Sequence, residues 1–315
     1  MKYLYQDNTI KLEYKKGFVY GTFFKKASVR DALLDTKIFS VNVVNFLLKN
    51  GLLKNITDGK ILYHNRFVKS GEQISANIYD NELSNYDPIE KELEILYEDD
   101  FFLILNKPAG EILFFTASNN KPCIASYINH YYIKTNQKHK LRFVNRLDKD
   151  ATGILIIAKN RLAHNFIFKN HSKKYSAIIP AIPFTSGIID YPLIRNMPNT
   201  YCCPHGKESI TIWRKAISNK QFSFVIVNLP TGRTHQIRVH FKHYFRPIIG
   251  DYQYDGMSSK IAQRCFLHCL RLRFKHPFLK QQIKITAPFP DDMKQFLIKI
   301  RDFETFRFYH LESAK

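Results

Sequence analysis

Arg146, Leu147, Asp148 and Asp150 fall within five positions of the stretch FVNRLDKDATGILIIAKN (143–160), just before a wholly apolar run. A carboxylate beside an arginine on a turn can serve as nucleophile or base, or can ligate a cation. Asp148, Asp150, Thr152 and Gly153 fit the first half of a DxDxTG calcium loop, but its twelfth position is Lys159 where a bidentate glutamate is required. A surface turn in which Asp150 or Thr152 caps the backbone accounts for the same residues. A second cluster, LPTGRTHQIRVHFKHYFRPIIGDYQYDG (229–256), carries Arg233, His235, Arg238, His240, Lys242 and His243. On a helix Arg238 and Lys242 share a face that can meet phosphate, although a solvated basic helix reads the same way. Its histidines lack an acidic or cysteine partner nearby, which favours packing or phosphate contacts over a metal. The third cluster, KNHSKKYSAIIP (169–180), brings Tyr175 to the start of a strand behind three lysines.

The elements that must hold these residues follow from periodicity. SVRDALLDTK and SVNVVNFLLKNG read as short helices, and ILYHNRFVKSGEQISANI as a hairpin about Ser70-Gly71, giving a helix-helix-hairpin module within residues 1–80. The polar, acidic stretch at 81–92, with a proline, reads as a linker. From 93 onward LEILY, FFLIL, ILIIAK, YSAIIP, ITIWRKAI, FSFVIVN, FLHCLRLRF and QQIKIT read as strands. NRLAHNFIFKNHSK, with Asn160 as N-cap, THQIRVHFKHY and DDMKQFLIKIRDF read as helices. Strands interrupted by a few helices predict an α+β fold around a mixed sheet.

Composition bounds the partners. In 315 residues, 48 Lys and Arg against 27 Asp and Glu leave a net charge of +21, a field that favours polyanions. With 45% hydrophobic residues the chain can build a core, so disorder is excluded. No apolar run approaches the ~20 residues of a membrane span, and MKYLYQDNTIKLEYKK, charged and polar where a secretory signal needs an apolar stretch, does not read as one. Five cysteines without a repeating framework predict a reduced, cytoplasmic setting, and Cys202, Cys203, His205, His268 and Cys269 fit no zinc spacing.

In this order the clusters resemble the blocks of the RluA-type pseudouridine synthases, which isomerise uridine in structured RNA. VNRLDKDATGILIIAKN is similar to the catalytic block of that family, KKYSAIIPA to its Lys-x-Tyr block and TGRTHQIRVHF to its arginine block. LYEDDFFLILNKPAG, GDYQY and LHCLRLRFKHP resemble its opening hairpin, GDxxY turn and late strand. The match spans about residues 93–290, and the module at 28–78 resembles, loosely, an S4 RNA-binding domain.

The resemblance implies a catalytic domain at 93–315, on a mixed, mainly antiparallel sheet with flanking helices, behind a small N-terminal α/β RNA-binding module. It implies an RNA isomerase without cofactor, acting on ribosomal RNA in preference to transfer RNA; separately, ligand spacing and run length predict no metal and no membrane partner, and a monomer is expected. Asp148 would be the essential carboxylate that breaks the glycosidic bond, Tyr175 would stack on the uracil and help remove the C5 proton, and Arg238 would pair with Asp148. Arg146 would fill the gap left by the flipped nucleotide, with Leu147, Arg233, His235, Gln236 and Ile237 around the substrate. Asn145 stands where the family has histidine, and Ala151-Thr152 where it has Thr-Ser. A catalytically silent RNA-binding or ribosome-assembly protein on the same scaffold is the alternative, and a calcium- or zinc-dependent nuclease a third class.

Overall fold

The computed structural model describes residues 3–63, 66–79, 84–115, 122–254, 261–279 and 281–301. Residues 81–83 of the expected linker, Asp255 and Gly256 of the second cluster, and 302–303 of the expected last helix lie outside them.

The N-terminal unit runs β1 (Tyr3–Gln6), β2 (Ile10–Lys15), β3 (Phe18–Phe23), β4 (Ala27–Ser28), α1 (Val29–Asp35), α2 (Val41–Lys49), β5 (Leu53–Asn55), β6 (Phe67–Val68) and β7 (Gln73–Asn77). Ser28 and Ser40 cap the two helices, accepting from Asp31 N and Val43 N. The five-stranded sheet has the order β1-β2-β3-β7-β5, and β4 pairs with β6. This corrects the expected hairpin: Ser70-Gly71 does turn the chain, but β6 and β7 pair with different strands. Gly71 N and Ser70 Oγ both donate to the end of β3, at Phe23 O and Phe24 O, which draws β7 onto β3. The β1–β3 meander was hidden in a segment read only for a leader. Its turns have local causes, an Asp7 carboxylate accepting from Thr9 N and Ile10 N, and Lys16-Gly17 with positive φ at both residues.

The larger unit holds β8 (Ile95–Glu98), β9 (Phe102–Lys107), α3 (Ile124–Lys134), β10 (Arg142–Phe143), β11 (Thr152–Ala158), α4 (Arg161–Lys169), β12 (His171–Pro180), β13 (Ser186–Asp190), β14 (Leu193–Asn196), β15 (Asn199–Cys202), β16 (Ile210–Ser218), β17 (Phe222–Asn228), α5 (Gln236–Tyr244), β18 (Leu267–Lys275), β19 (Gln282–Thr286) and α6 (Asp291–Arg301). Its sheet has the order β13-β16-β17-β12-β18-β11-β9-β8, with β10 on β11 and β19 on β18. Among the described residues only β11 and β18 run parallel, so the sheet is mixed and mainly antiparallel, as expected of the α+β fold. The helix α3 and the strands β13–β15 had not been anticipated; α3 lacks a side-chain cap, β14 and β15 have four residues each, and β14 exposes three of them.

At the centre lies β11, whose seven residues are all buried. Each of Ile154, Leu155, Ile156 and Ile157 is wholly inaccessible, worth about 1.5–3 kcal/mol of apolar burial apiece. The parallel contact with β18 lasts two residues, Thr152 opposite His268 and Gly153 opposite Cys269. Gly153 has φ +101°, and a Cβ there would lie 2.4 Å from Cys269 O, so only glycine lets these backbones meet. The two units share one hydrophobic cluster. The Tyr14 ring on β2 sits 4.6 Å from Phe101, and Arg161 at the start of α4 lies 3.9 Å above the Phe46 ring of α2.

Candidate active site

The turn carrying Asp148 is built from both sides. Asn145, buried, clamps it to β11: its Nδ2 donates to Ile154 O at 3.0 Å and its Oδ1 accepts from Ile156 N at 2.8 Å. The residue that replaces the family histidine therefore holds the strand that follows. Beneath the turn, Lys107 at the end of β9 is almost completely buried, and its Nζ donates to Pro108 O, Lys149 O and Ala151 O at 2.7–2.9 Å. Arg264 Nη1 donates to the carbonyl between them, Asp150 O, at 3.3 Å. Three successive carbonyls after Asp148 are thus held by two buried cations. Burial pushes the Lys107 ammonium down to about 8, against the attraction of Asp150, Glu111 and Asp148. Arg264 is itself fixed by the Asp292 carboxylate of α6 at 2.7 and 2.8 Å.

Asp148 projects from this turn into a cleft of ≈ 190 Å³ and keeps 28% of its side chain accessible. Arg238 of α5 meets it, Nη1 donating to Asp148 Oδ2 at 2.9 Å. The remaining edge of the guanidinium is committed elsewhere. Its Nε and Nη2 donate to the wholly buried Asp251 carboxylate, each at 2.7 Å, and Nη2 also donates to Gln253 Oε1. The Tyr254 ring lies 4.9 Å beneath it. This fork geometry suits arginine alone, since an ammonium cannot hold two carboxylates in one plane. Gly250 brings Asp251 into place with φ +76°, where a Cβ would overlap Arg264 O.

The second oxygen of Asp148 faces His235, whose Nε2 is 3.7 Å away. His235 precedes α5 in the left-handed region, with φ +57° and ψ +17°, a conformation that aims a non-glycine side chain at the cleft. Its Nδ1 is 2.8 Å from Tyr254 Oη, which accepts from Thr200 N at 2.9 Å. Tyr254 Oη thus links Thr200 N to the imidazole and fixes the orientation in which its Nε2 faces Asp148. Burial, aided by Arg238, lowers the His235 pKa while Asp148 opposes the shift, so the ring is neutral at neutral pH.

The other residues singled out from the sequence divide into two groups. Arg146 is exposed at the mouth, 3.4 Å from Thr234 Oγ1, and Arg233 is exposed with Nε donating to Glu208 O. Leu147, Gln236 and Ile237 are buried. Gln236 spends its amide on Ile210 O and Thr211 Oγ1 and its carbonyl on Arg233 N and Thr231 Oγ1, tying the turn before α5 to β16. Tyr175 lies on β12 opposite Cys269, at a bulge, and its hydroxyl meets the Cys269 thiol. Burial raises its pKa far above the usual value, and the Cys269 and Asp148 charges add to the rise. Sequence reasoning had not assigned Lys107, Asp251, Tyr254 or Arg264, although NKPAG and GDYQY contained the first three.

Comparison with known proteins now places this geometry. The signature described as RNA pseudouridylate synthase matches residues 101–243, which hold Asp148, Tyr175 and Arg238. An RNA pseudouridine synthase of Bacillus subtilis, YhcT, is 35% identical over 242 residues, covering 73% of this chain and 80% of its own. The chain belongs to the RluA-type RNA pseudouridine synthases. As a member of that family it is an isomerase acting on RNA, not a silent scaffold. The ribosomal large subunit pseudouridine synthase D of Buchnera aphidicola (strain APS) is 31% identical, with 82% of this chain and 87% of that one covered. In fold, the human RNA pseudouridylate synthase domain containing 4 superposes with a TM-score of 0.55 at 21% identity, covering 66% of this chain and 93% of that one.

Proposed function

We propose that this pseudouridine synthase isomerises uridines of large-subunit ribosomal RNA, with Asp148 as its essential residue and the target base flipped into the cleft. The observation that carries the reading is the division of labour at Asp148. One oxygen is held by an arginine that Asp251 has locked in place, and the other is left toward the accessible cleft. A carboxylate so oriented can act on the sugar of a flipped nucleotide without first being ordered, which is where positioning lowers a barrier. The reaction moves one bond from N1 to C5 and conserves every atom of the uridine, so it calls for no co-substrate.

The cleft is below the ~300–1,000 Å³ of a site for a drug-sized ligand, a size suited to one pyrimidine. Flipping costs about a few kcal/mol, and the exposed Arg146 guanidinium at the mouth can stack in the gap it leaves. Tyr175, buried on β12 and kept neutral by that burial, is the aromatic ring on which the uracil would stack. The ribosomal assignment rests on similarity to the ribosomal large subunit pseudouridine synthases D. Residues 1–80 are an accessory RNA-binding module of S4 type, and the chain works as a cytoplasmic monomer with reduced cysteines.

The test is pseudouridine mapping of total RNA from cells deleted for the gene and restored with wild type or with Asp148→Asn. The expected outcome is one or a few large-subunit uridines that only wild type modifies. Full restoration by Asp148→Asn would remove Asp148 from its role, and loss at a transfer RNA alone would overturn the ribosomal assignment.

A further inference from the structure

The N-terminal sheet has two unlike faces. Ile10, Leu12, Val19, Phe23, Leu53, Ile74 and Ala76 fill the inner one. On the outer face alternation calls for polar residues, yet the middle strand β3 places Phe18 and Tyr20 there, 37% and 36% exposed. Their rings stack on each other with centroids 6.2 Å apart and planes 29° from parallel. The register surrounds them with a consistent chemistry. Phe18 lies between Lys15 and Asn77, Tyr20 between Glu13 and Ser75, and Lys54 lies beyond Ser75 on β5. One side of the aromatic pair is thus lined by uncharged amide and hydroxyl groups and both rims carry lysines. Glu13 is the acid of this face among the described residues, and Lys11 already neutralises it at 2.9 Å.

We infer that this face is a stacking platform for unpaired bases of the RNA substrate, a contact separate from the Asp148 cleft. A flat sheet cannot enter a groove of duplex RNA, whereas splayed bases of a loop or bulge stack on sheet aromatics with lysines tracking the phosphates. A protein partner would require more apolar surface than two rings set among Lys, Ser, Asn and Gln side chains. The inference rests on RNA as the substrate, but not on the role of Asp148.

The experiment is fluorescence anisotropy of a labelled oligouridylate of about ten nucleotides with the full chain at fixed salt. Base–aromatic stacking lost by alanine substitution is worth ~1–3 kcal/mol per base, so the Phe18→Ala/Tyr20→Ala double variant should bind at least about tenfold more weakly. Phe18→Tyr/Tyr20→Phe should stay within about threefold of wild type, because it keeps both π-faces. Lys54→Ala should weaken binding and flatten its dependence on salt. Binding of a blunt RNA duplex should not respond to the aromatic changes. Asp148→Asn should lose isomerisation and keep oligouridylate affinity, so failure of the catalytic assignment would show apart from failure of the platform. An affinity of the double alanine variant within twofold of wild type overturns the inference. A changed sedimentation coefficient with unchanged RNA affinity also overturns it, assigning the face to contact between proteins.

Discussion

Replacing Lys107 by methionine tests whether the catalytic turn is held from below. The substitution keeps the length and apolar stem but removes three charge-assisted hydrogen bonds, to Pro108 O, Lys149 O and Ala151 O. Bonds to a charged group contribute about 1.5–3 kcal/mol each, so some 5–9 kcal/mol of gross interaction is lost. Burial of the ammonium is itself unfavourable. The fall of its pKa from 10.5 to about 8 corresponds to roughly 3 kcal/mol that methionine recovers. The difference is a net destabilisation of about 2–6 kcal/mol, which at ~2 °C per kcal/mol for a chain of this size is a drop in Tm of about 4–12 °C. Because two of the freed carbonyls follow Asp148 directly, the turn should also move. A misplacement near 1 Å costs on the order of a hundredfold in rate, so kcat should fall at least about tenfold while KM changes less than about threefold. Calorimetry and single-turnover isomerisation of a substrate RNA read the two effects. Wild-type values of both Tm and kcat in Lys107→Met would refute the support role.

The same group predicts a pH effect of defined sign. Below about pH 8 both folded and unfolded chains hold the Lys107 proton, and between about 8 and 10.5 only the unfolded chain does, so this group's contribution to stability rises with pH while the amine loses a donor. The kcat profile should therefore fall above about pH 8 without a matching fall in Tm, and that limb should vanish in Lys107→Met. Arg238→Lys leaves the buried Asp251 without its fork partner, and urea unfolding should show a loss of about 3–5 kcal/mol, with kcat down by about a hundredfold or more. Tyr254→Phe strips the partner from Thr200 N and His235 Nδ1, so kcat should fall several-fold at unchanged KM, with about 1–3 kcal/mol lost in stability. Gly153→Ala should lower stability by about 2–5 kcal/mol in thermal melts, because Cys269 O occupies the space of its Cβ.

Much of the centre was legible because its signals are local. The apolar run after Gly153 announced β11, Asn160 announced α4 and accepts from Ala163 N, and the order of the Asp, Tyr and Arg blocks announced the family. What pairs with what was not legible. Nothing near Arg238 says that Asp251, rather than Asp148, takes two of its donors, since that depends on a positive-φ glycine at 250 and the path of the chain beyond it. The burial of Leu147, Gln236 and Ile237 was not legible for a related reason. A motif marks the residues that build a site together with those that face it, and only burial separates the two. Lys107 read as one basic residue among 48 Lys and Arg, and its burial follows from the approach of a turn 42 residues away. The meander at the N-terminus was missed because Phe18 and Tyr20 on the outer face of β3 break the apolar–polar alternation that marks a strand, although β2 keeps it.

The six residues of β9 join two features described separately. Its N-terminal neighbour Phe101 is the seat on which Tyr14 of the N-terminal sheet rests, and its last residue is Lys107, the support of the Asp148 turn. The stretch expected as a linker, described from residue 84, is itself docked on the larger unit through Ile89 N to Ser126 O and Leu141 N to Ser84 Oγ, so the interior is continuous across it. Cutting there would not release a self-sufficient isomerase. It would bare the Phe101 and Phe278 rings at one end of the strand that steadies the catalytic turn at the other, so the N-terminal unit is a structural subunit of the active site as well as its neighbour.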